Sequence, residues 1–450
     1  MIRDVSSSTS RIACGFIPIF LLGCSGAPPR PVHTAGELIG DRIQLKLQED
    51  RIQPTEVNAA VAQLLAHPLT ADSAAQIALL NNPALAVQLE EVGIAEADYI
   101  AASQIKNPSV YVDFRLPDRR PPSGPDIEAT AAEDVLDILL LPVRKKLAQQ
   151  QLDQAAIRSA DAALQLVHDT RFAFFTLVAH QQTRELQKQI TAAAAASADF
   201  ARRQHDAGNI NDLSLAAENA ALAQAQLQQL RADAQVAADR EKVNRLLGLG
   251  SGQLNWTAED ALPDLPKMEP PTDTEIAAAK QRRLDIADAQ SQVSIADAAL
   301  AYTRSGILTA VNVGASMERE TSHQTVIGPL LGLELPIFNQ HQGQIARAEA
   351  ELRQAKKKLD ATQMKAESEI RAAVLAVESN RAIVQLAADK LIPDRVAITS
   401  AMQLQYNGMQ VGLYELLAAK REELTARREA ADSLLDYWLA RAELDRAVGR

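Results

Sequence analysis

This chain lacks most of what chemistry at a fixed site requires. Its 450 residues hold two cysteines, Cys14 and Cys24. The seven histidines are His33, His67, His168, His180, His205, His323 and His341, and no two stand at metal-ligand spacing on one helix face. The six methionines do not cluster. Phosphate-binding loops, dinucleotide glycine patterns and nucleophile elbows are missing. The expectation is a chain that is not an enzyme and that holds no cofactor and no resident metal. Aromatic residues make up 4% of the chain against a hydrophobic total of 47%, so the apolar content is mostly Ala, Leu, Val and Ile. That favours narrow helix–helix seams over a large globular core. Positive charge is also short: the net charge is -11, which excludes a nucleic-acid partner that binds through phosphates. An acidic balance also serves plain solubility.

The apolar run Ile12–Gly23 follows Arg3 and Arg11 and is too short to span a bilayer as a helix. It suits the core of a signal peptide, predicted over residues 1–23. Its end, Leu21-Leu22-Gly23-Cys24-Ser25, resembles a bacterial lipobox, with Leu22 departing from the usual small residue. The resemblance implies that Cys24 becomes the acylated first residue of the mature chain, and Ser25 after it points to the outer membrane. An ordinary signal peptide with an incidental cysteine is the alternative. Once Cys14 leaves with the signal, Cys24 has no disulfide partner. Residues 25–36, with Pro28, Pro29 and Pro31, read as a tether.

What is present is a pattern stated twice, about 200 residues apart. Asn81-Asn82-Pro83-Ala84-Leu85 opens a helix, and so does Arg282-Arg283-Leu284-Asp285-Ile286. Leu140-Leu141-Pro142 and Glu334-Leu335-Pro336 each lead into a long helix. Gly208 and Gly408 each interrupt a helix pair at the same relative place. Two copies of this size imply pseudo-symmetric halves of one fold. Residues 24–69 are read as tether and polar helix, 70–262 as the first repeat, 263–271 as a Pro-rich linker and 272–450 as the second repeat.

Between the helices the period changes from 3.6 to 2. Val110, Val112, Phe114 and Leu116 share one face, opposite Ser109, Tyr111, Asp113 and Arg115. The loop Pro117–Asp126 follows, then a second strand within Ala129–Leu141, where Glu133 and Asp137 share a face. In the second half Ile307–Ser316 and Thr325–Leu335 alternate in the same way around the turn Arg319–Gln324. Two hairpins are too little for an isolated sheet with this much apolar surface, and their edges require a partner. In a membrane, backbone polar groups demand closure into a barrel, and four strands cannot close alone. Packing of each hairpin on a soluble helical body is the alternative. Residues 143–205 contain no Pro or Gly, roughly 95 Å of helix if unbroken. Gln340–Tyr406 is comparable, with Pro393 expected to kink it. Return helices are predicted over 211–247 and 412–448.

The order helix, hairpin, long helix, turn, return helix, repeated, resembles the TolC-type outer-membrane efflux factors. Leu335-Pro336-Ile337-Phe338-Asn339-Gln340 with Gly343-Gln344-Ile345-Ala346 is similar to that family's passage from strand to helix. Ala207-Gly208-Asn209-Ile210-Asn211 and Tyr406-Asn407-Gly408-Met409 are similar to its two helix tips. Asp436-Tyr437-Trp438-Leu439-Ala440-Arg441 resembles the last helix of CzcC- and CusC-like members. The resemblance covers about residues 70–448. It implies a mainly α fold with a small β part, and a homotrimer that forms a 12-stranded barrel in the bacterial outer membrane and a helical tunnel across the periplasm. The partners implied are outer-membrane lipid, a periplasmic adaptor protein and, through it, an inner-membrane pump. Ser109, Asp113, Glu133, Asp137, Asn312 and Glu334 would then face the barrel lumen. Gly208 and Gly408 would be turn residues of positive φ at the tips that meet the adaptor, with Asn209, Ile210, Met409 and Gln410 as its contacts. Glu415 falls at an acidic gate position, where three carboxylates would meet on the axis, repel one another and attract cations. Ala418 replaces the second acid of some members, leaving one ring. A solvated surface carboxylate is the other reading of Glu415.

The functional expectation is a passive export conduit, with heavy-metal cations as cargo on the strength of the C-terminal string. A conduit for drugs or other organic solutes is the alternative. A periplasmic scaffold lipoprotein without a pore is a third reading.

Overall fold

The computed structural model describes residues 31, 34–40, 54–115, 126–267, 278–305, 311–320 and 324–450. The signal segment, Cys24, the loop 116–125, linker residues 268–271, the strand start 307–310 and the turn centre 321–323 lie outside the described residues.

Two short helices, α1 (Ala35–Gly40) and α2 (Pro54–Leu65), precede the first repeat. Helix α3 (Ala71–Asn81) starts at Thr70, whose hydroxyl accepts from Ser73 N while Ser73 Oγ accepts from Thr70 N. This reciprocal cap satisfies two amides that a helix start leaves unpaired. Asn82 ends α3 and caps α4 (Pro83–Ser103), taking the Ala84 and Leu85 amides on Oδ1. Pro83 sits where its missing N–H costs nothing.

The first hairpin is β1 (Ser109–Arg115) and β2 (Asp126–Asp134). β2 passes directly into α5 (Val135–Asp206), 72 residues and about 108 Å long. The second strand was expected to reach Leu141. Instead Asp134 caps the helix, accepting from Leu136 N at 3.0 Å, and Leu136 to Pro142 lie in its first two turns. The run 138–141 is apolar at both parities, so alternation could not mark where the strand stops. Asp137 is therefore a helical residue, not a strand residue.

After the turn 207–211 comes α6 (Asp212–Leu246). The second repeat continues with α7 (Leu284–Ser305), β3 (Val311–Arg319), β4 (Thr325–Leu333) and α8 (Gln342–Leu386). A π-helical turn, Ala387–Leu391, leads into α9 (Ile392–Asn407), followed by α10 (Leu413–Ala447). The π turn lies just before Pro393, which has no N–H to continue the α ladder. The irregularity expected at Pro393 is thus taken up as a wide turn without ending the rod.

Helix α5 is the spine and packs against α3, α4, α6, α7 and α10. Its buried positions Ala148, Leu152, Ala156, Ser159, Ala163, Val167, Thr170 and Phe174 step by three and four. Such a stripe with mostly small side chains lets neighbouring rods approach closely. The largest apolar cluster gathers Phe174, Leu177 and Val178 of α5 with Ile77, Val243, Leu247, Trp256 and Leu69. A second unites Ala160, Ala163 and Val167 with Ile39, Leu85 and Leu284. A third joins α8 to the end of α10 through Ile370, Val377, Tyr437 and Ala447.

The two hairpins share one sheet, ordered β1-β2-β3-β4 and antiparallel throughout. Ala131 pairs with Ala315 and Ala132 with Gly314 across the join. A Cβ on Gly314 would lie 2.1 Å from Ala131 O, so only glycine allows this approach of β3 to β2.

Candidate functional site

The register sorts every strand residue onto one of two faces. One face carries Val110, Val112 and Phe114 of β1, Ile127, Ala129 and Ala131 of β2, Val313, Ala315 and Met317 of β3, and Ile327, Leu331 and Leu333 of β4. The large side chains of this face on β1, β3 and β4 are exposed, from Met317 at 41% to Ile327 at 73%, while Ile127 and Ala129 of β2 are half-buried, and nothing in the chain covers this apolar surface among the described residues. Isolated exposed apolar residues are ordinary, but a contiguous sheet face of them marks a contact with lipid or protein.

The other face carries Ser109, Tyr111, Asp113 and Arg115, then Glu128 and Thr130, then Asn312, Ser316 and Glu318. On β3 and β4 it is the less exposed of the two. Arg115 donates to Glu128 at 2.9 Å and to Asp113 at 3.2 Å, a charged cluster on the polar side. Of the residues assigned to a lumen, Ser109, Asp113 and Asn312 share this face. Glu334 is exposed and follows the last residue of β4. Glu133 does not share it: it pairs with Val313 and so lies on the apolar face, one residue before the strand ends at Asp134. Asp137 lies in the first turn of α5, 9% exposed, bridged by Arg144 at 2.8 Å and Lys106 at 3.0 Å. Its carboxylate locks α4 to α5 beneath the sheet. Both corrections follow from the strand ending at Asp134: parity no longer carries Asp137 onto a sheet face, and Glu133 falls in step with Ala131.

At the far end of the rods are two tips. In the first, Ala207 N donates to Arg203 O, Gly208 N to His205 O and Asn209 N to Gln204 O. In the second, Gly408 N donates to Leu404 O, Met409 N to Tyr406 O and Gln410 N to Gln405 O. The counterpart of Gly208 is therefore Met409, not Gly408. Gly208 has φ 77 and Met409 has φ 58, while Gly408 sits at φ -82. The positive φ expected at Gly408 falls one residue later, because a helix of this kind closes on the residue after its last α-conformer. Met409 is 95% exposed and holds a left-handed conformation that costs a non-glycine residue about 1 kcal/mol.

The helices that leave the tips start differently. Asn211 caps α6, accepting from Ser214 N at 2.9 Å, and His205 lies 2.7 Å from Asp212 across the turn. Gly412 begins α10 without a side-chain cap. There Glu415 stands at the third helical position, exposed, with its carboxylate folded over the Gly412 backbone. A carboxylate in a first helical turn is stabilised by the amides that point at it. Nearby, Phe200 of α5 meets Tyr414 of α10 edge to face at 5.3 Å, joining the two hairpins close to the tips. That contact was not signalled by the sequence.

Among the described residues, no helix is long and apolar enough to cross a membrane, and no three His, Cys, Asp or Glu side chains gather as a metal site.

Fold and sheet together define a class: a helical rod body bearing a four-stranded antiparallel sheet with one bare apolar face. Residues 276–450 match the family described as Outer membrane efflux protein. Solved structures extend the likeness to most of the chain. A membrane protein from Pseudomonas aeruginosa is 19% identical, with TM-score 0.70 over 87% of this chain and 94% of that one. CusC, whose structures describe folding and transmembrane channel formation, is 16% identical, with TM-score 0.68 over 94% and 98%. The Campylobacter jejuni CmeC outer membrane channel is 15% identical, with TM-score 0.71 over 90% and 88%. Nothing among the curated proteins matches the chain. The resemblance to TolC-type efflux factors drawn from the sequence is thus met by that family over residues 276–450 and by the fold over most of the chain.

Proposed function

We propose that this chain is the outer-membrane channel of a tripartite efflux system, working as a homotrimer. The observation that carries this reading is the sheet. Its apolar face is exposed, its other face is polar across β1 to β3, and β1 and β4 each have one free edge among the described residues. Free edges in lipid require partners. Pairing β4 of one copy with β1 of the next closes a ring, and three copies supply 12 strands. The 72-residue α5 and the rods beside it then form the wall of a periplasmic tunnel.

In this arrangement Ser109, Asp113 and Asn312 line the barrel. Asn209, Ile210, Met409 and Gln410 stand at the tips beside Gly208 and Gly408, where an adaptor docks. Glu415 from three copies forms a single acidic ring that favours cations and resists anions. Residues 70–262 and 272–450 act as the two repeats of each protomer, joined by 263–271. Cys24, if acylated, adds a lipid anchor on the same membrane.

Heavy-metal cations are the cargo favoured by the C-terminal string and by the single acidic ring, with organic solutes as the second reading. A deletion strain tested against copper, silver, zinc, cadmium and cobalt salts beside hydrophobic drugs and dyes separates them. Hypersensitivity to the metals alone supports the cation assignment. Hypersensitivity to the drugs alone removes that assignment and keeps the conduit.

A further inference from the structure

The underside of the sheet, where strands pass into helices, holds an arrangement that a conduit does not require. The first two turns of α5 expose Ile138, Leu139 and Pro142, with Leu139 at 69%. The next turn exposes Lys145 and Lys146. Steps of three and four place these residues on one stripe. The end of α4 and the segment just after it lie alongside, exposing Ile100 and Ile105, and are fixed there by Arg144, which donates to Ala102 O at 2.9 Å and Gln104 O at 2.7 Å. Lys145 Nζ stands 5.6 Å from the centre of the Tyr99 ring.

The charges are not balanced locally. Arg144 and Lys106 are both engaged by Asp137. Lys145 and Lys146 make no ion pair among the described residues. The second repeat offers a contrast. Its passage also exposes apolar groups, with Leu335 at 64%, Ile337 at 66% and Phe338 at 94%. There, however, Arg347 is paired with Glu351 at 2.8 Å and Arg304 with Glu349 at 2.6 Å. Among the described residues, only the first passage combines an apolar collar with two ammonium groups that make no ion pair.

From Leu139 to Lys145 the helix rises about 9 Å, comparable with the roughly 5–8 Å depth of one headgroup layer. Apolar side chains next to the sheet, with lysines one layer further out, match the profile of a membrane boundary. Two unpaired lysines would be misplaced in a dry contact between protein chains.

We propose that this patch binds an anionic phospholipid of the periplasmic leaflet. Lys145 and Lys146 hold the phosphate, Tyr99 lies at headgroup level, and the acyl chains run along Ile105 and Leu139 towards the apolar face of the sheet. The inference rests on the outer-membrane reading.

The test uses the full chain reconstituted in nanodiscs of mixed phosphatidylcholine and phosphatidylglycerol, then released and weighed intact with its retained lipids. The wild type is expected to retain phosphatidylglycerol preferentially. Lys145→Gln/Lys146→Gln is expected to lose roughly tenfold or more of that preference, and Arg347→Gln to keep it. In parallel, Ile105→Trp in vesicles with brominated acyl chains is expected to show quenched fluorescence, over a constant background from Trp256 and Trp438. Equal retention in the double variant, or an unquenched Ile105→Trp in trimers that conduct, overturns the lipid site and leaves the channel standing. Failure of every variant and of the wild type to insert into the membrane overturns both.

Discussion

The side-chain amide of Asn82 donates from Nδ2 to the carbonyl oxygen of Leu246 at 2.8 Å, joining the start of α4 to the end of α6 across 164 residues. Asn81 Nδ2 reaches the next two carbonyls, Leu247 O at 2.9 Å and Gly248 O at 2.7 Å. Carbonyls at a helix end lack intrahelical partners, so these amides satisfy them. The second half repeats the closure 201 positions later (82 to 283, 246 to 447). There Arg283 donates from Nη1 to Ala447 O at 3.0 Å. Each return helix ends on a left-handed glycine, Gly248 at φ 65 and Gly449 at φ 79, set against the residue before the closing donor. An asparagine makes the closure in one half and an arginine in the other. The arginine is 6% exposed and also binds Asp285 at 2.7 Å and Glu369 at 2.8 Å.

This difference predicts unequal costs. Arg283→Met leaves two carboxylates facing a missing cation and is expected to cost about 3–5 kcal/mol. Asn82→Ala removes a cap and one carbonyl partner, about 1–2 kcal/mol. Thermal unfolding followed by far-ultraviolet circular dichroism compares them. A milder effect for Arg283→Met would show that the closure is not held by its charge.

The tips predict two changes of opposite sign. Gly208→Ala meets no neighbour, so its cost is conformational alone, about 1 kcal/mol. Met409→Gly relieves a left-handed methionine and is expected to stabilise its turn by a similar amount. Amide hydrogen exchange of peptides spanning 203–213 and 404–413 reads each turn separately. Slower exchange in Gly208→Ala or faster exchange in Met409→Gly would contradict the assigned geometry.

The join between hairpins predicts a position-specific block. Gly314→Val places atoms inside van der Waals contact with the Ala131 backbone, and outer-membrane trimer yield should fall severely. Gly328→Ala, on the neighbouring strand in open space, should leave it unchanged. Equal yields from the two variants would mean that β2 and β3 do not pair as described.

At the end of α10 the prediction concerns pH. Glu443 is held down to about 2 by His168, with Arg446 adding to the effect against the opposing influence of burial. His168 Nε2 lies 3.3 Å from Glu443, and Arg446 forms the ion pair with the same carboxylate, its Nη2 at 2.5 Å. A depressed carboxylate stabilises the fold above its ordinary value of 4.5 and loses that contribution as the pH falls towards 2. The stability gap between wild type and Glu443→Gln should therefore be full above about pH 4.5 and close below it. A gap that persists at pH 2 would rule out the ion pair as its source.

The rods were legible because their signals are local. Residues 143–205 without Pro or Gly, the Asn81-Asn82-Pro83 break and the return helices all follow from propensity and capping over neighbouring positions. The hairpins were legible from alternation over Val110–Phe114 and Val311–Ala315. The errors lie where local signals are degenerate. Leu136 to Leu141 fits either period, so the strand was carried too far, taking Asp137 with it and turning Glu133 to the wrong face. At the second tip the glycine was the visible residue, yet the left-handed conformation belongs to Met409 because the hydrogen-bond pattern, not the glycine, sets its place. The Asn82–Leu246 and Phe200–Tyr414 contacts join residues too distant in sequence for any periodicity to pair them.

The most direct test of the account is planar-bilayer recording of the purified full chain, with Glu415→Gln beside it. The account predicts detergent-stable trimers, stepwise currents that favour cations, and a weaker cation preference in Glu415→Gln. A monomer, or a preparation that yields no current step in any bilayer, would contradict the channel itself.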